Sequence, residues 1–237
     1  MRSRRQFVKI IFGFFATIFT LKYFKTVHAV SSLPYHHLPD GTFRNLPGGP
    51  KREISTGHSS RNFFRFFYKG IIKRKMFDQK EIPDNIPHDH ALSQEKALKQ
   101  FQDNADSMSV TWLGHATFLI KLGDQHILTD PFLSKTAGPV GIGPNRYVPA
   151  GIKISDLPEI NTILVSHNHY DHLDTTTLKN IINKKNITVI CSLKLSKTFT
   201  RLGYNKIFEL DWYDEQKNHD FKVTAVPAYH WSRRLGQ

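Results

Sequence analysis

Three histidines and one aspartate fall within six residues, spaced His167-x-His169-x-Asp171-His172. Imidazole nitrogen and carboxylate oxygen are the donors that Zn²⁺ accepts at about 2.0–2.2 Å. Alternate residues on an extended stretch point the same way, so His167 and His169 can grip one ion. Asp171 and His172 come one step later, where the chain turns, and can face a second. A solvated loop rich in histidine is the bland alternative. Four ligand types at this spacing, directly after an apolar run, argue against it.

The elements that must hold these residues are readable around them. Thr162-Ile-Leu-Val165 is a short apolar run of the buried-strand kind, so the ligands sit on the loop at its end. Asp174 can cap a helix running to about Asn183 and starting beside that loop. Val110 to Leu113 and Thr117 to Lys121 read as strands flanking the turn at Gly114. Gly123-Asp124 is a hairpin signal, with His126 to Thr129 returning as a third strand. Ile187 to Cys191, Lys206 to Leu210 and Phe221 to Val226 read as further strands, the last leading to His230. Ser93 to Gln102 and Ser196 to Leu202 read as helices, the second stopped by Gly203. The segment Pro139 to Gly151 is a long loop of the kind that borders sites. A meander followed by alternating strands and helices predicts an α+β chain with a mixed sheet and helices packed on it.

His-x-His-x-Asp-His is the signature of the metallo-β-lactamase superfamily, and the chain resembles its members. Trp112-Leu-Gly-His-Ala-Thr-Phe118, Leu128-Thr-Asp-Pro131, Gly143-Pro-Asn-Arg-Tyr147 and Pro227-Ala-Tyr-His-Trp-Ser-Arg233 narrow the match, with Leu210-Asp-Trp212 a weaker member of the set. Together they look like the N-acylphosphatidylethanolamine phospholipase D branch, over roughly residues 42 to 237. The resemblance implies an αββα sandwich and two Zn²⁺ ions. It implies that His167, His169 and His230 hold the first metal and that Asp171 and His172 hold the second, with Asp171 also a catalytic group. It implies that Asp130 serves catalysis by orienting a ligand histidine, a role with physical sense; an aspartate before proline is also ordinary turn chemistry. His115 is expected to line the site or to hydrogen-bond the histidine loop. Two metals close together acidify water and take up phosphoryl charge, so phosphodiester hydrolysis needs no protein nucleophile. The missing reactive-serine and P-loop motifs are no objection.

Family members continue with a Gly-Asp-Thr aspartate that bridges both metals and, later, a histidine on the second. This sequence has neither, and no Asp or Glu follows His230. The second site keeps two protein ligands, below the three of a catalytic zinc. The expectation is a sandwich lacking the C-terminal part of its second half: either a piece of a longer protein or a shortened, inactive product.

Three regions are expected: residues 1–29 as an export segment, 30–106 as an N-terminal extension and 107–237 as the partial sandwich. Ser3-Arg-Arg-Gln-Phe-Val-Lys9 looks like a twin-arginine signal. The uncharged run Ile10 to Leu21 is too short for a bilayer, which takes about 20 residues, and Val27-His-Ala29 offers small side chains for cleavage. An uncleaved anchor is the alternative, and either way the protein is exported, periplasmic or membrane-associated. The chain carries a formal net charge of +13 and stays basic without residues 1–29, which hold six Lys/Arg and no acid. That favours anionic partners, phospholipid headgroups or nucleic acid. Residues 61–75 mix aromatics with six basic side chains and fit a membrane surface contact, a nucleic-acid patch, or a helix with its aromatics in the core and its charges in water. Nucleic acid is the weaker partner, resting on charge and superfamily alone. The single cysteine, Cys191, excludes an intramolecular disulfide and sits in an apolar run as a core residue.

The functional expectation is a zinc-dependent phosphodiesterase acting on N-acylphosphatidylethanolamine-like lipids. The alternatives are a hydrolase of a soluble lactone or cyclic phosphate and a non-catalytic metal-binding remnant. For the export segment, replacing Arg4 and Arg5 by Lys is expected to trap a reporter fusion in the cytoplasm. Normal export of that variant would point to the general secretory route or an anchor.

Overall fold

The computed structural model describes residues 33–49, 68, 87, 89–104, 108–141, 143–232 and 234. The export segment, 1–29, and the aromatic-basic stretch, 61–75 apart from Tyr68, lie outside them. The chain divides into two compact units, Met1–Pro50 and Lys51–Gln237. In the first, Asp40 accepts hydrogen bonds from Thr42 N and Thr42 Oγ1, and Gly41 takes φ +79°. This closes a tight turn bridged by His37 and Phe43.

The second unit is built on a six-stranded mixed sheet. In sequence its strands are β1 (Ser109–Gly114), β2 (Thr117–Leu122), β3 (Gln125–Thr129), β4 (Thr162–Val165), β5 (Thr188–Ser192) and β6 (Lys206–Leu210), and they lie side by side in that order. β1, β2 and β3 form an antiparallel meander; β3 to β6 are parallel. Gly123, at φ +58°, supplies the left-handed first position of the two-residue β2–β3 turn. The parallel strands are short and apolar because helices cover them: Leu128, Ile163 and Val189 are fully buried. Among the described residues three α-helices belong to this unit: α1 (Gln94–Asp103), α2 (Thr175–Asn180) and α3 (Ser196–Arg201). Leu178 of α2 and Phe199 of α3 are fully buried in the core, and Leu98 and Phe101 of α1 pack against it. α1 falls within the stretch read as an N-terminal extension. This is the mixed α and β architecture, with a central mixed sheet, that the sequence leads one to expect.

The structure corrects three details. α2 ends at Asn180 rather than near Asn183: Ile181 turns extended (φ −64°, ψ 136°), which buries it at 5% exposure. A strand with no apolar pattern, β7 (Glu215–Asn218), pairs with β8 (Phe221–Thr224) as a separate two-stranded sheet. It is tied to the main sheet by Asn218 Nδ2, which donates to Thr162 Oγ1 at 2.6 Å. Finally, β8 stops at Thr224, so His230 does not close a strand; it follows an irregular segment. Among the described residues no helix is long and apolar enough to cross a membrane.

Cys191 lies on β5 at 4% exposure, and burial, with the nearby Glu209 charge, pushes its thiol up to about 12. A buried thiol that stays protonated is a poor nucleophile. Thiol titration is expected to find no reactive group in the native protein and one in denaturant. Rapid native modification would place Cys191 outside the core.

Candidate metal centre

The site sits at one edge of the main sheet because the topology sends three strand ends there. β1 is antiparallel to β2, and β2 to β3, so β1 runs with the parallel strands. The carboxyl ends of β1, β3 and β4 therefore deliver His115, Asp130 and the loop Ser166–Asp174 to the same edge. This is where open α/β sheets place their sites.

Asp130, 8% exposed, organises that edge. Its Oδ1 accepts Ser166 N at 2.7 Å and its Oδ2 accepts Ser166 Oγ, also at 2.7 Å. His172 Nδ1 lies 2.9 Å from the same Oδ2. A carboxylate only accepts, so His172 carries its proton on Nδ1 and turns the Nε2 lone pair outward. His167 Nδ1 lies 2.9 Å from Ser166 Oγ, whose one proton already goes to Asp130. That hydroxyl must therefore accept, and the Nε2 lone pair of His167 also turns outward. Asp130 thus fixes the tautomers of two histidines, one directly and one through Ser166. The backbone twists to allow it: Asp130 is at φ +36°, a left-handed conformation of the kind functional sites retain.

Two groups of donor atoms result. In the first, His167 Nε2 lies 3.0 Å from His169 Nδ1, and His230 Nε2 lies 3.2 Å from the same atom. In the second, His115 Nε2 lies 2.9 Å from Asp171 Oδ2 and 3.3 Å from His172 Nε2, with Asp171 Oδ2 to His172 Nε2 at 3.9 Å. The rings of His167 and His172 bring the groups together, their centroids 4.0 Å apart. The structure thus assembles all five residues read from sequence as metal ligands, with Asp130 behind them as a positioning residue. It adds His115, which the sequence placed only nearby. The signal was Gly114-His115 at the tip of a hairpin whose strands point to the site, but its partner Asp171 lies 56 positions on.

Three imidazole nitrogens facing one point are poorly served by hydrogen bonds among themselves. A shared cation serves all three. Two ligands at about 2.05 Å and tetrahedral angles lie about 3.3 Å apart, close to the spacings found here. Two of the rings, His167 and His169, are also held towards the neutral form. Burial, reinforced by His172, His169 and His230, pushes His167 down to about 4, against the opposing charge of Asp130. Burial, then His230, lowers His169. His172 differs: burial pulls it down, but the hydrogen bond and charge of Asp130, with Asp171, outweigh this and raise it. His169 Nε2 is buried with no hydrogen-bond partner; its ring is placed by an edge contact to Trp231, centroids 4.5 Å apart. The segment carrying His230 is fastened by Ser232, which accepts Asn168 N at 3.0 Å. Arg234 donates to Asn168 O and Leu173 O and stacks on Tyr170.

Residues 125–237 match the beta-lactamase superfamily domain. The chain is 35% identical over 184 residues to N-acyl-phosphatidylethanolamine-hydrolyzing phospholipase D 1 of Caenorhabditis elegans, covering 73% of this chain and 50% of that protein. It is 33% identical over 128 residues to the mitochondrial N-acyl-phosphatidylethanolamine-hydrolyzing phospholipase D of Saccharomyces cerevisiae, covering 52% and 27%. A UPF0173 metal-dependent hydrolase of Archaeoglobus fulgidus is 33% identical over 124 residues, covering 52% and 46%. The chain spans half or less of the length of these relatives.

Asp130 generates a prediction that separates stability from metal binding. Asp130→Ala leaves Ser166 N–H and His172 Nδ1–H without their acceptor and is expected to cost roughly 2–4 kcal/mol in denaturant unfolding. Asp130→Asn keeps one acceptor for Ser166 N but turns an amide N–H towards Ser166 Oγ and His172 Nδ1. It is expected to cost less stability, yet to weaken metal binding about 10–100-fold. Wild-type metal affinity in the Asn variant would show that Asp130 does not set the tautomers.

Proposed function

Residues 125–237 carry a beta-lactamase superfamily domain, and on that premise we propose that the protein is a zinc-dependent phosphodiesterase of the phospholipase D type. Its substrate is an N-acylphosphatidylethanolamine-like lipid. The observation that carries the proposal is the convergence of His167 Nε2, His169 Nδ1 and His230 Nε2 beside the Asp171–His172 group. The likeness to the worm and yeast phospholipases supports the substrate class.

Zinc held by His167, His169 and His230 supplies a Lewis acid that takes up charge on a phosphoryl oxygen and acidifies water. The chain's own groups do the rest. Ser166 and Asp130 keep the His167 and His172 lone pairs outward. Trp231, half exposed, walls the first group beside His169. Asp171 and His115 stand on the open side, with side chains 36% and 44% exposed, where an anionic headgroup arrives. Ser166 has a positioning role: its hydroxyl donates to Asp130 and accepts His167 Nδ1–H, so both of its hydrogen bonds serve to orient His167. The basic charge of the chain favours the anionic surface of a phospholipid membrane.

The test is release of phosphatidate from vesicles containing N-acylphosphatidylethanolamine, with added zinc, compared with a soluble cyclic phosphate and a lactone. Turnover on the lipid is expected, stopped by a chelator and by His167→Ala with His169→Ala. Turnover that survives both treatments, or turnover confined to the soluble compounds, would overturn the phospholipase reading.

A further inference from the structure

We propose that His115 is a metal ligand: with Asp171 and His172 it completes a second three-ligand site, and Trp112 and Arg146 hold the turn that presents it. The proposal rests on the hydrolase reading above and names a third ligand for its second metal position.

The donor atoms carry the argument. Nε2 of His115, Nε2 of His172 and a carboxylate oxygen of Asp171 lie within 4.8 Å of one another. The His172 proton is committed to Asp130, so its Nε2 offers a lone pair. His115 Nε2 stands 3.3 Å away, the spacing of about 3.3 Å expected for two nitrogens on one tetrahedral ion. Asp171 Oδ2 at 2.9 Å and His172 Nε2 at 3.3 Å converge on the one atom His115 Nε2, where a single proton is shared between two acceptors and a cation serves all three donors.

The backbone around His115 is built for position. Gly114 and His115 both take left-handed conformations, φ +107° and +53°. For histidine that costs free energy, and its ring, with a side chain 44% exposed, meets Phe132 and His172 edge-on, centroids 6.1 and 5.0 Å apart. Trp112 Nε1 donates to His115 O at 2.9 Å, which fixes the peptide from one side. On the other side the Arg146 guanidinium donates to Leu113 O and Val148 O, each at 3.2 Å, and to Phe132 O. It lies so close to Gly114 that a Cβ there would meet Arg146 Nη2 at 2.3 Å. The Trp-Leu-Gly-His and Pro-Asn-Arg stretches thus act as one clamp on the histidine.

The full chain should be titrated with zinc by calorimetry and with cobalt by absorption, with far-UV circular dichroism as the folding control. Wild type is expected to take up two equivalents. His115→Ala is expected to retain one and to lose the other by more than about 100-fold in affinity, beyond the roughly 10–100-fold cost of an outer partner. Gly114→Ala, which keeps His115 but displaces the clamp, is expected to weaken that same equivalent at least tenfold. His167→Ala with His169→Ala should remove the other one. Two unchanged equivalents in His115→Ala, or a single equivalent that is the same in wild type and His115→Ala, would overturn the proposal while leaving the first site standing. Absence of any bound metal in folded wild type would overturn the hydrolase reading itself.

Discussion

The centre depends on one carboxylate. Asp130 accepts from Ser166 N, Ser166 Oγ and His172 Nδ1, and these three bonds decide which nitrogen of two histidines carries a lone pair. Hydrogen bonds to a charged group contribute about 1.5–3 kcal/mol each, more than neutral ones. That is enough to hold Asp130 in an unfavourable backbone conformation. With a neutral side chain in its place, the loop after β4 would lose its anchor, and two imidazoles would be free to turn their N–H groups towards an incoming cation. Binding then carries a tautomer penalty at both groups at once.

The same carboxylate makes the two groups unequal partners. The first is all imidazole, with His167 and His169 held towards the neutral form by burial and by neighbouring imidazoles. The second contains Asp171, and within it the hydrogen bond and charge of Asp130, with Asp171, raise His172 against its burial. A proton and a metal compete for His172 Nε2 there. An all-nitrogen site suits zinc, whereas a site with a carboxylate discriminates less among divalent ions.

Much of this was legible in the sequence because the signals are local. The run Thr162 to Val165 followed by four ligands, ending at His172, spells out a strand and its site within eleven residues. Gly123-Asp124, Asp174 and Gly203 each act at their own position through turn or cap chemistry. What was not legible is set by distant partners. Glu215-Gln-Lys-Asn218 has no apolar alternation and becomes a strand only because β8 pairs with it. Ile181 leaves the helical path because the core has room for its side chain. His115 becomes a neighbour of Asp171 only after a three-stranded meander returns the end of β1 to the edge that β4 reaches.

His230 shows the other limit. The sequence marks it as a ligand through its flanking residues, but no strand delivers it. It is placed from outside, by Ser232 on Asn168 N and by Arg234 on the Asn168 and Leu173 carbonyls. The guanidinium cannot lose its proton and presents several donors in a fixed fork, so one side chain fastens two points of the histidine loop. The strap and the loop therefore order each other. The loop supplies carbonyls that are arranged only when His167 to Leu173 are in place, and the strap returns the third imidazole to that loop. A chain that must close more than sixty residues to bring these segments together pays loop entropy first. A cation shared by His167, His169 and His230 would offset it, because such an ion has its three donors only in the closed form. Metal binding and closure of the site would then be one equilibrium.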